Sequence, residues 1–435
     1  MNTTFWRCAQ FIKTRCKCMC RVVENEVYQS HHLHNHEPFD EKELDIMRLR
    51  FKVKECGTAR PDEKPLHLIS ECIESMKTKI NYDDLNKLRK VLYSHKQKMY
   101  KKPPKSRQEA MEILQQLAGD DDDLVRAADG EVAIIGRISD LQLFKEDSIQ
   151  VFADGTFKYS PRHFKQMYSF FVLKNGQYIP VVHILLQDKK QKTYKKALLM
   201  LKSVCYNYDI NLQNTLSKSS IMLDFEMAML KAVKCVFKHV TIKGCKFHLG
   251  QSWWRKVKDL GLASTYSNRK SPLSKWLRGL FGLAMLPAAL VPSTFKLYSS
   301  ARFLRIKTNA VKQLCKYLRS NYVLETSTFV PSLWAGLDSN GKATNNGAEA
   351  FHRHFGDLFS YLRCKPPLFH FLRIISRVNT LKDIKLRSTQ KTVSQRNCDK
   401  DVQLFKSKRI NVKTLLSRLS MKNLPKVNKY YKRKV

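Results

Sequence analysis

The chain has 435 residues, 43% of them hydrophobic, so it can build a sizeable core and is not expected to be largely disordered. It carries 79 Lys and Arg against 38 Asp and Glu, a formal net charge of +41. This charge excludes basic partners and favours a polyanion, because each phosphate that Lys or Arg neutralises releases counterions. An anionic membrane surface is the competing explanation.

No membrane segment is predicted. The longest apolar run, Gly279–Val291, is too short to cross a bilayer and contains Pro287. The first ten residues, MNTTFWRCAQ, lack the apolar core of a signal peptide. We therefore expect an intracellular protein in a reducing compartment, where most of its twelve cysteines are free thiols or metal ligands.

Composition divides the chain into four predicted zones. Residues 1–38 are rich in Cys and His, and residues 39–145 are predicted to form helices and linkers. Residues 146–360 alternate strand and helix patterns, with a helical stretch inside, and residues 361–435 are strongly basic. We expect each zone to correspond to a separate structural region.

The first zone contains a pattern that is typical of a zinc site. Seven residues separate Cys8 from Cys16, and one residue separates His34 from His36. Two thiolates and two imidazoles suit tetrahedral zinc, which would replace a core that so short a segment cannot build. A Cys- and His-rich loop without a fixed metal is the alternative. Spacing alone does not choose between these ligands and their neighbours Cys18, Cys20, His31 and His32.

The same segment resembles the second half of a FLYWCH zinc finger. The family's Trp-x-Cys, second Cys and terminal His-x-His followed by Pro correspond to Trp6, Cys8, Cys16, His34 and His36. The resemblance implies a small β module that zinc holds together and that binds DNA or protein. The opening strand of the family would precede the Trp, where only five residues stand here, so we expect a partial finger.

Helices are predicted in the second zone at Asn81–Gln97, where Asn81 is a suitable cap, and at Ser106–Leu117, which a serine begins. The third zone opens with aromatic and β-branched runs that predict strands. The predicted strands are Ser148–Phe157, Gln166–Leu173, Tyr178–Gln187, Ser220–Phe225 and Val240–Phe247. The helical patterns among them are Thr193–Tyr208, Glu226–Phe237 and a helix from Leu249. This order predicts an α/β fold with a mixed sheet and helices on both faces.

Two aspartates stand at the ends of apolar strands of this predicted sheet, Asp154 and Asp224. If the two strands are neighbours, both carboxylates emerge at one edge. Such a pair suits Mg²⁺, and two such ions can bracket an in-line phosphoryl displacement. The alternative is structural, because Asp-Gly after a strand is usually a turn and Asp before a helix is usually a cap.

Four segments of this zone, in order, resemble the transposase domain of Mutator-like elements (MULE). They are ADGTF at 153–157, LDFEMAML at 223–230, GCKFHLGQSWWRKV at 244–257 and TNNGAEAFHRHF at 344–355. The resemblance covers about residues 148–360. It implies an RNase H-like fold with a helical insertion at about 262–340, and FLYWCH fingers often accompany this domain.

The resemblance also implies site residues and chemistry. The three catalytic carboxylates of the family correspond to Asp154, Asp224 and Glu349, the last following Asn345 and Asn346. They would hold two divalent ions, Mg²⁺ or Mn²⁺, for strand cleavage and transfer at transposon ends. We therefore expect a nuclear protein whose partners are transposon-end and target DNA. Transposases commonly assemble on two DNA ends, which is compatible with a homodimer, although no heptad pattern specifies an interface.

The CxxH motif of the family corresponds to Cys245 and His248. A CxxH pair is half a zinc site, which His352 and His354 would complete only if the last helix packs close. The alternative is a pair at a helix start that hydrogen-bonds and orients the backbone near the site. Both interpretations remain open from the sequence.

Basic residues are spread along the chain rather than confined to one segment. Lys87–Arg107 holds nine Lys and Arg and no acid, and Asp401–Val435 holds eleven against one Asp. The final residues, Tyr430–Val435, mix aromatic and cationic side chains, which suits phosphate contact, stacking or nuclear import. We expect contacts with the DNA backbone, which carry no sequence specificity.

Two other functions fit the same residues. One is a domesticated transposase derivative that acts as a zinc-finger DNA- or chromatin-binding regulator without catalysis. The other is a structural RNase H-like binder of nucleic acid. The presence of Asp154, Asp224 and Glu349 argues against loss of catalysis, whereas the partial finger argues for it.

Overall fold

The computed structural model describes residues 3–24, 26–61, 63–76, 79–99, 102–119, 124–146, 149–268, 270–300, 308–336, 346–359, 364–386 and 399–423. The chain divides into two compact units, residues 1–101 and 102–435. Asn345 and the segment Tyr430–Val435 lie outside the described residues. Within the described ranges, no helix combines the length and apolarity needed to cross a membrane, and no disulfide joins the cysteines.

The first unit begins with a small antiparallel sheet. In the described part of this unit its strands are β1 (Thr3–Arg7), β2 (Met19–Val23) and β3 (Glu26–Gln29), paired in that order. A single helical turn, α1 (Phe11–Thr14), lies between β1 and β2. The side chains of β1 and β3 are exposed on both faces, so this sheet has no apolar core of its own.

The rest of the first unit is a bundle of helices α2 (Glu41–Ala59), α3 (Pro65–Met76) and α4 (Tyr82–Met99). Asp40 begins α2 with a capping box, because its side chain accepts from the backbone of Glu43 while Glu43 accepts from the backbone of Asp40. The predicted cap of α4 is confirmed, since Asn81 Oδ1 accepts from the backbone N–H of Asp84 at 2.8 Å. The buried core is Leu49, Val53, Leu68, Ile69, Cys72, Leu88 and Leu92.

The second unit is built on a mixed sheet. In its described residues the strands are β4 (Val125–Ala128), β5 (Val132–Ile135), β6 (Gln150–Thr156), β7 (Gln166–Lys174), β8 (Gln177–Leu186), β9 (Ser220–Leu223) and β10 (Thr241–Gly244). The spatial order is β10-β9-β6-β7-β8-β5-β4. β6, β9 and β10 are parallel, and the remaining neighbours pair antiparallel. A strand lies in each segment where the sequence predicted one, and the β4–β5 hairpin was not predicted. The predicted strand Val240–Phe247 was too long, because β10 ends at Gly244 and the helix predicted from Leu249 already begins at Lys246.

The helices of the second unit follow the predicted alternation with strands. They are α5 (Arg107–Gly119), α6 (Ile138–Leu141), α7 (Gln191–Tyr206), α8 (Leu212–Lys218), α9 (Met227–Val236), α10 (Lys246–Asp259), α11 (Ala263–Ser267), α12 (Pro272–Leu280), α13 (Val291–Tyr298), α14 (Asn309–Leu318), α15 (Pro331–Trp334), α16 (Asn346–Asp357), α17 (Leu368–Leu386), α18 (Asp399–Lys406) and α19 (Val412–Asn423). The predicted serine cap of α5 is confirmed, because Ser106 Oγ accepts from the backbone of Glu109 at 3.1 Å.

Helices cover both faces of the sheet, as predicted. On one face, Val151 and Ala153 of β6 belong to a core that α7 and α9 complete. On the other face, Phe152 of β6 packs with Ala348 of α16, and α5 and α17 cover the neighbouring strands β5, β7 and β8. The side chains of β6 alternate between the two cores because successive residues of a strand point to opposite faces.

A separate helical core follows the sheet. Trp253 of α10 packs edge-on against Trp334 of α15 and Tyr322 at ring distances of 5.5 and 5.7 Å. Helices α12, α13 and α14 contribute to the same core, and so do α18 and α19 from the basic zone at the end of the chain. Part of that zone therefore forms packed helices, whereas its composition had indicated only that it is basic.

Candidate functional site

The first two predicted carboxylates lie on neighbouring parallel strands. β6 pairs with β9 in the register Gln150–Ser220 to Phe152–Met222, and two further residues in the same register bring Asp154 level with Asp224. The sequence predicted that Asp154 ends its strand, and this was wrong. β6 continues to Thr156, and Asp154 pairs with Ser169 of β7. The Asp-Gly turn considered as an alternative is therefore absent at this described position.

The CxxH pair begins α10 beside these carboxylates. The backbone N–H of Cys245 donates to the carbonyl of Leu223 at 2.9 Å, which fixes Cys245 next to the end of β9. His248 follows within the first turn, and its Nδ1 lies 2.7 Å from Oδ1 of Asp224. The ligand atoms of Asp224, Cys245 and His248 all lie within 4.8 Å of one another.

Helix α16 brings two further side chains to the site from one of its faces. Glu349 Oε1 lies 3.6 Å from Nε2 of His248, so His248 stands between Glu349 and Asp224. One turn later, His352 Nδ1 lies 2.9 Å from Oδ2 of Asp154. Helix α16 thus packs close to the CxxH pair, but neither of its histidines completes a site there. His352 contacts Asp154, and His354 is exposed to solvent.

A set of buried contacts continues from Asp154 into the sheet. Its Oδ1 accepts from the backbone N–H of Gly155 at 2.9 Å. On the other side, His352 Nε2 lies 3.2 Å from Ser169 Oγ, which lies 2.8 Å from His183 Nδ1. Sequence reasoning missed Ser169 and His183, although a polar residue inside an apolar strand is an available signal, because buried polar groups need partners.

Crowding of acids in a poorly solvated site shifts their pKa values in different directions. Burial raises the pKa of Asp224 to about 6, and Asp154 adds to this shift while His248 opposes it. Burial also raises the pKa of Glu349 to about 7. The charges of Asp154 and Asp224 add to this shift, and the charge of His248 opposes it. Burial alone would raise the pKa of Asp154, but contact with His352 and the charge of His248 outweigh it and lower that pKa. The site therefore favours a cationic ligand.

Three polar atoms in this site are buried and without a hydrogen-bond partner among the described residues. They are Asp224 Oδ1, His248 Nδ1 and Glu349 Oε1. The close approach of His248 to Asp224 is an ion-pair distance, but it does not meet the angles of a hydrogen bond. An unsatisfied buried polar atom costs about 1–3 kcal/mol. Their convergence fits a site that binds a metal ion.

The four Cys and His residues of the first unit also come together. Cys8 Sγ lies 3.2 Å from His36 Nε2, Cys16 Sγ lies 3.4 Å from His34 Nδ1, and the two histidine atoms are 3.2 Å apart. Two sulfur and two nitrogen donors at these separations suit tetrahedral zinc. Among the described residues, this cluster does not include the neighbouring candidates Cys18, Cys20, His31 and His32.

Comparison with known proteins gives one family match. The model of the MULE transposase domain matches residues 150–252. This stretch runs from β6 to α10, so it contains Asp154, Asp224, Cys245 and His248 and ends before Glu349. A search of curated proteins found no significant match to the chain.

Proposed function

We propose that this protein is a DNA transposase of the MULE type, which cleaves and transfers DNA strands at transposon ends in the nucleus. The observation that carries the proposal is the convergence of Asp154, Asp224 and Glu349 from three distant segments of the chain. His248 contacts both Asp224 and Glu349, and the charge of Asp154 raises the pKa of each of these two acids. The family match to residues 150–252 supports the same interpretation.

The sheet supports an RNase H-like fold for the proposed catalytic domain. An antiparallel meander, β8-β7-β6, continues into the parallel strands β9 and β10. In this order β6, which carries Asp154, lies in the interior of the sheet beside β9, which Asp224 directly follows. Ligands of open α/β sheets commonly bind near the carboxyl ends of such central strands.

Asp154, Asp224 and Glu349 are the residues that would hold Mg²⁺ or Mn²⁺, because both ions prefer carboxylate oxygens. The buried, unpartnered oxygens of Asp224 and Glu349 fit this role. When bound, such ions activate the attacking hydroxyl group and stabilise the leaving oxygen of an in-line displacement.

The chain itself positions these ligands. His352 and the backbone of Gly155 each hydrogen-bond one oxygen of Asp154, which fixes the plane of the carboxylate and leaves each oxygen a further lone pair. Because α16 carries both His352 and Glu349, the same helix orients the first carboxylate and supplies the third. The net charge of +41 favours DNA as the substrate.

The Cys/His cluster of the first unit supports a zinc finger of the FLYWCH type. We propose that Cys8, Cys16, His34 and His36 bind zinc, since the adjoining sheet has exposed side chains on both faces and lacks a core of its own. The proposed role of this finger is to bind DNA.

The test is divalent-ion-dependent cleavage of DNA that carries the flanks of the native locus. We expect Asp154→Asn and Glu349→Gln to reduce cleavage by at least about 10³-fold, because loss of a metal ligand removes several kcal/mol of transition-state stabilisation. Glu146→Gln is the matched control, since Glu146 is a carboxylate of the same unit that pairs with Lys174. It should cleave as the wild type does.

Cleavage that survives Asp154→Asn would contradict the catalytic role of the cluster. Absence of cleavage by every variant, with salt-sensitive DNA binding retained, would instead support the domesticated DNA-binding derivative.

A further inference from the structure

We propose that Asp224, Cys245 and His248 form a binding site for zinc, separate from the Cys/His cluster of the first unit. The donor atoms of these residues lie within 4.8 Å of one another. The site shares Asp224 with the proposed magnesium centre, so its effect on cleavage rests on the proposed function. Its ability to bind zinc does not.

The backbone builds this arrangement from two adjacent strand ends. Asp224 directly follows β9, and Cys245 directly follows the neighbouring parallel strand β10. The hydrogen bond from the N–H of Cys245 to the carbonyl of Leu223 holds the two ends together. His248 then lies three residues into α10, where one helical turn brings it back toward Cys245. The cluster is therefore fixed by the sheet and by a helix start.

The donor set selects zinc rather than magnesium. Magnesium prefers oxygen ligands throughout, whereas a thiolate, an imidazole and a carboxylate together are a typical zinc set with one coordination position left open. Cys245 is fully buried. His248 Nδ1 and Asp224 Oδ1 are buried atoms for which the described structure gives no hydrogen-bond partner. A zinc ion between them would satisfy both.

Glu349 stands where a partner for the second ring nitrogen of His248 would lie. A histidine that binds zinc through one ring nitrogen usually donates its other N–H to a carboxylate, which orients the ring. Here Nδ1 of His248 faces Asp224, and Nε2 faces Oε1 of Glu349 at 3.6 Å. Oε1 of Glu349 is itself buried without a hydrogen-bond partner in the described structure.

Zinc at this site would oppose the proposed reaction. If Asp224 and His248 bind zinc, Asp224 can no longer serve as a ligand of the proposed magnesium centre, which it shares with Asp154. We therefore expect micromolar zinc to inhibit magnesium-dependent cleavage, and Cys245→Ser to relieve that inhibition.

The direct test uses cobalt(II) as a spectroscopic probe for zinc in the full-length chain. Cys8→Ser and Cys16→Ser together remove both thiolates of the first-unit cluster and provide the background. In this background we expect one tightly bound cobalt ion with a thiolate-to-cobalt absorption band, which one equivalent of zinc abolishes. Adding Cys245→Ser should remove the band. Adding Cys205→Ser, which changes a buried cysteine in α7 outside the cluster, should leave it intact.

The proposal is overturned if the background chain binds no cobalt, or if the band persists after Cys245→Ser. Circular dichroism checks that each variant is folded. Should Cys245→Ser unfold, His248→Gln decides instead, since the proposal requires it to weaken cobalt binding at least tenfold. Asp154→Asn should keep the cobalt band while losing cleavage. If the background chain binds cobalt as expected but the wild type never cleaves DNA, the proposed function is overturned and the zinc site stands.

Discussion

At the residue scale, the buried contacts behind Asp154 depend on a histidine that stays neutral. His183 lies in the interior of β8, and its Nδ1 contacts Ser169. Burial lowers the pKa of His183 to about 3, and the positive charges of His352 and Lys382 add to this shift. The folded protein therefore excludes a proton that the unfolded chain accepts below its ordinary pKa of about 6.5.

This difference predicts how stability depends on pH. Between pH 6.5 and pH 3 the unfolded state binds the additional proton, so the free energy of unfolding falls as the pH falls. At pH 5 the loss from His183 alone is about 2 kcal/mol. Urea unfolding at pH 7, 6 and 5 should show a weaker pH dependence for His183→Gln than for the wild type. The exposed His354→Gln should leave the dependence unchanged. Equal slopes for wild type and His183→Gln would contradict the assignment.

Single residues also show what the sequence could reveal about the site. Asp154 and Asp224 were predictable together, because each follows an apolar run and parallel neighbours align their carboxyl ends. The contact of His352 with Asp154 was not, because it joins residues 198 positions apart through the packing of α16. The residues around His352 do not reveal that α16 packs against the sheet beside Asp154.

At the element scale, a buried ion pair joins the sheet region to a late helix. Lys382 of α17 contacts Asp140 of α6, and both side chains are less than 5% exposed. Arg137 reinforces the pair by contacting both Asp140 and Asp383. Burial disfavours the charge of Lys382 and lowers its pKa, against the attraction of Asp140. The pair therefore depends on both partners being present.

Removing one partner should be costly. Asp140→Asn should destabilise the protein by about 3–5 kcal/mol, because it leaves the charge of Lys382 buried and uncompensated. The double variant Asp140→Leu/Lys382→Met should recover much of this loss. Arg418→Met, which breaks an exposed pair with Asp401, is the control and should cost less than about 1 kcal/mol. A similar small loss for Asp140→Asn in thermal unfolding would show that the buried pair is not required.

The strands differ in how well they could be predicted from the sequence. The long strands β7 and β8 have continuous apolar patterns and were predicted to within two residues. The β4–β5 hairpin has strands of only four residues, and VRAA is barely apolar, so periodicity could not detect it. Asp129-Gly130 between them is a hairpin signal that would have indicated it.

At the scale of the whole molecule, the net charge of +41 predicts that the proposed binding to DNA depends on salt. If the chain neutralises six to ten phosphates, its affinity for duplex DNA should fall by about 10³–10⁵-fold between 50 and 200 mM salt. Fluorescence anisotropy with a duplex of arbitrary sequence measures this slope. Asp154→Asn removes no cation and should retain the slope of the wild type. Affinity that is independent of salt would contradict backbone recognition.

The order of the ligands along the chain has a consequence for synthesis. Glu349 follows Asp224 by about 125 residues, and ribosomes add roughly 5–20 residues per second. For about 6–25 s after Asp224 has been translated, a nascent chain already contains the Cys/His cluster and two carboxylates but has no third. Chains whose translation stops within this interval would contain the Cys/His cluster but lack Glu349. If the proposed function is right, such chains would bind DNA without cleaving it and would compete with complete copies.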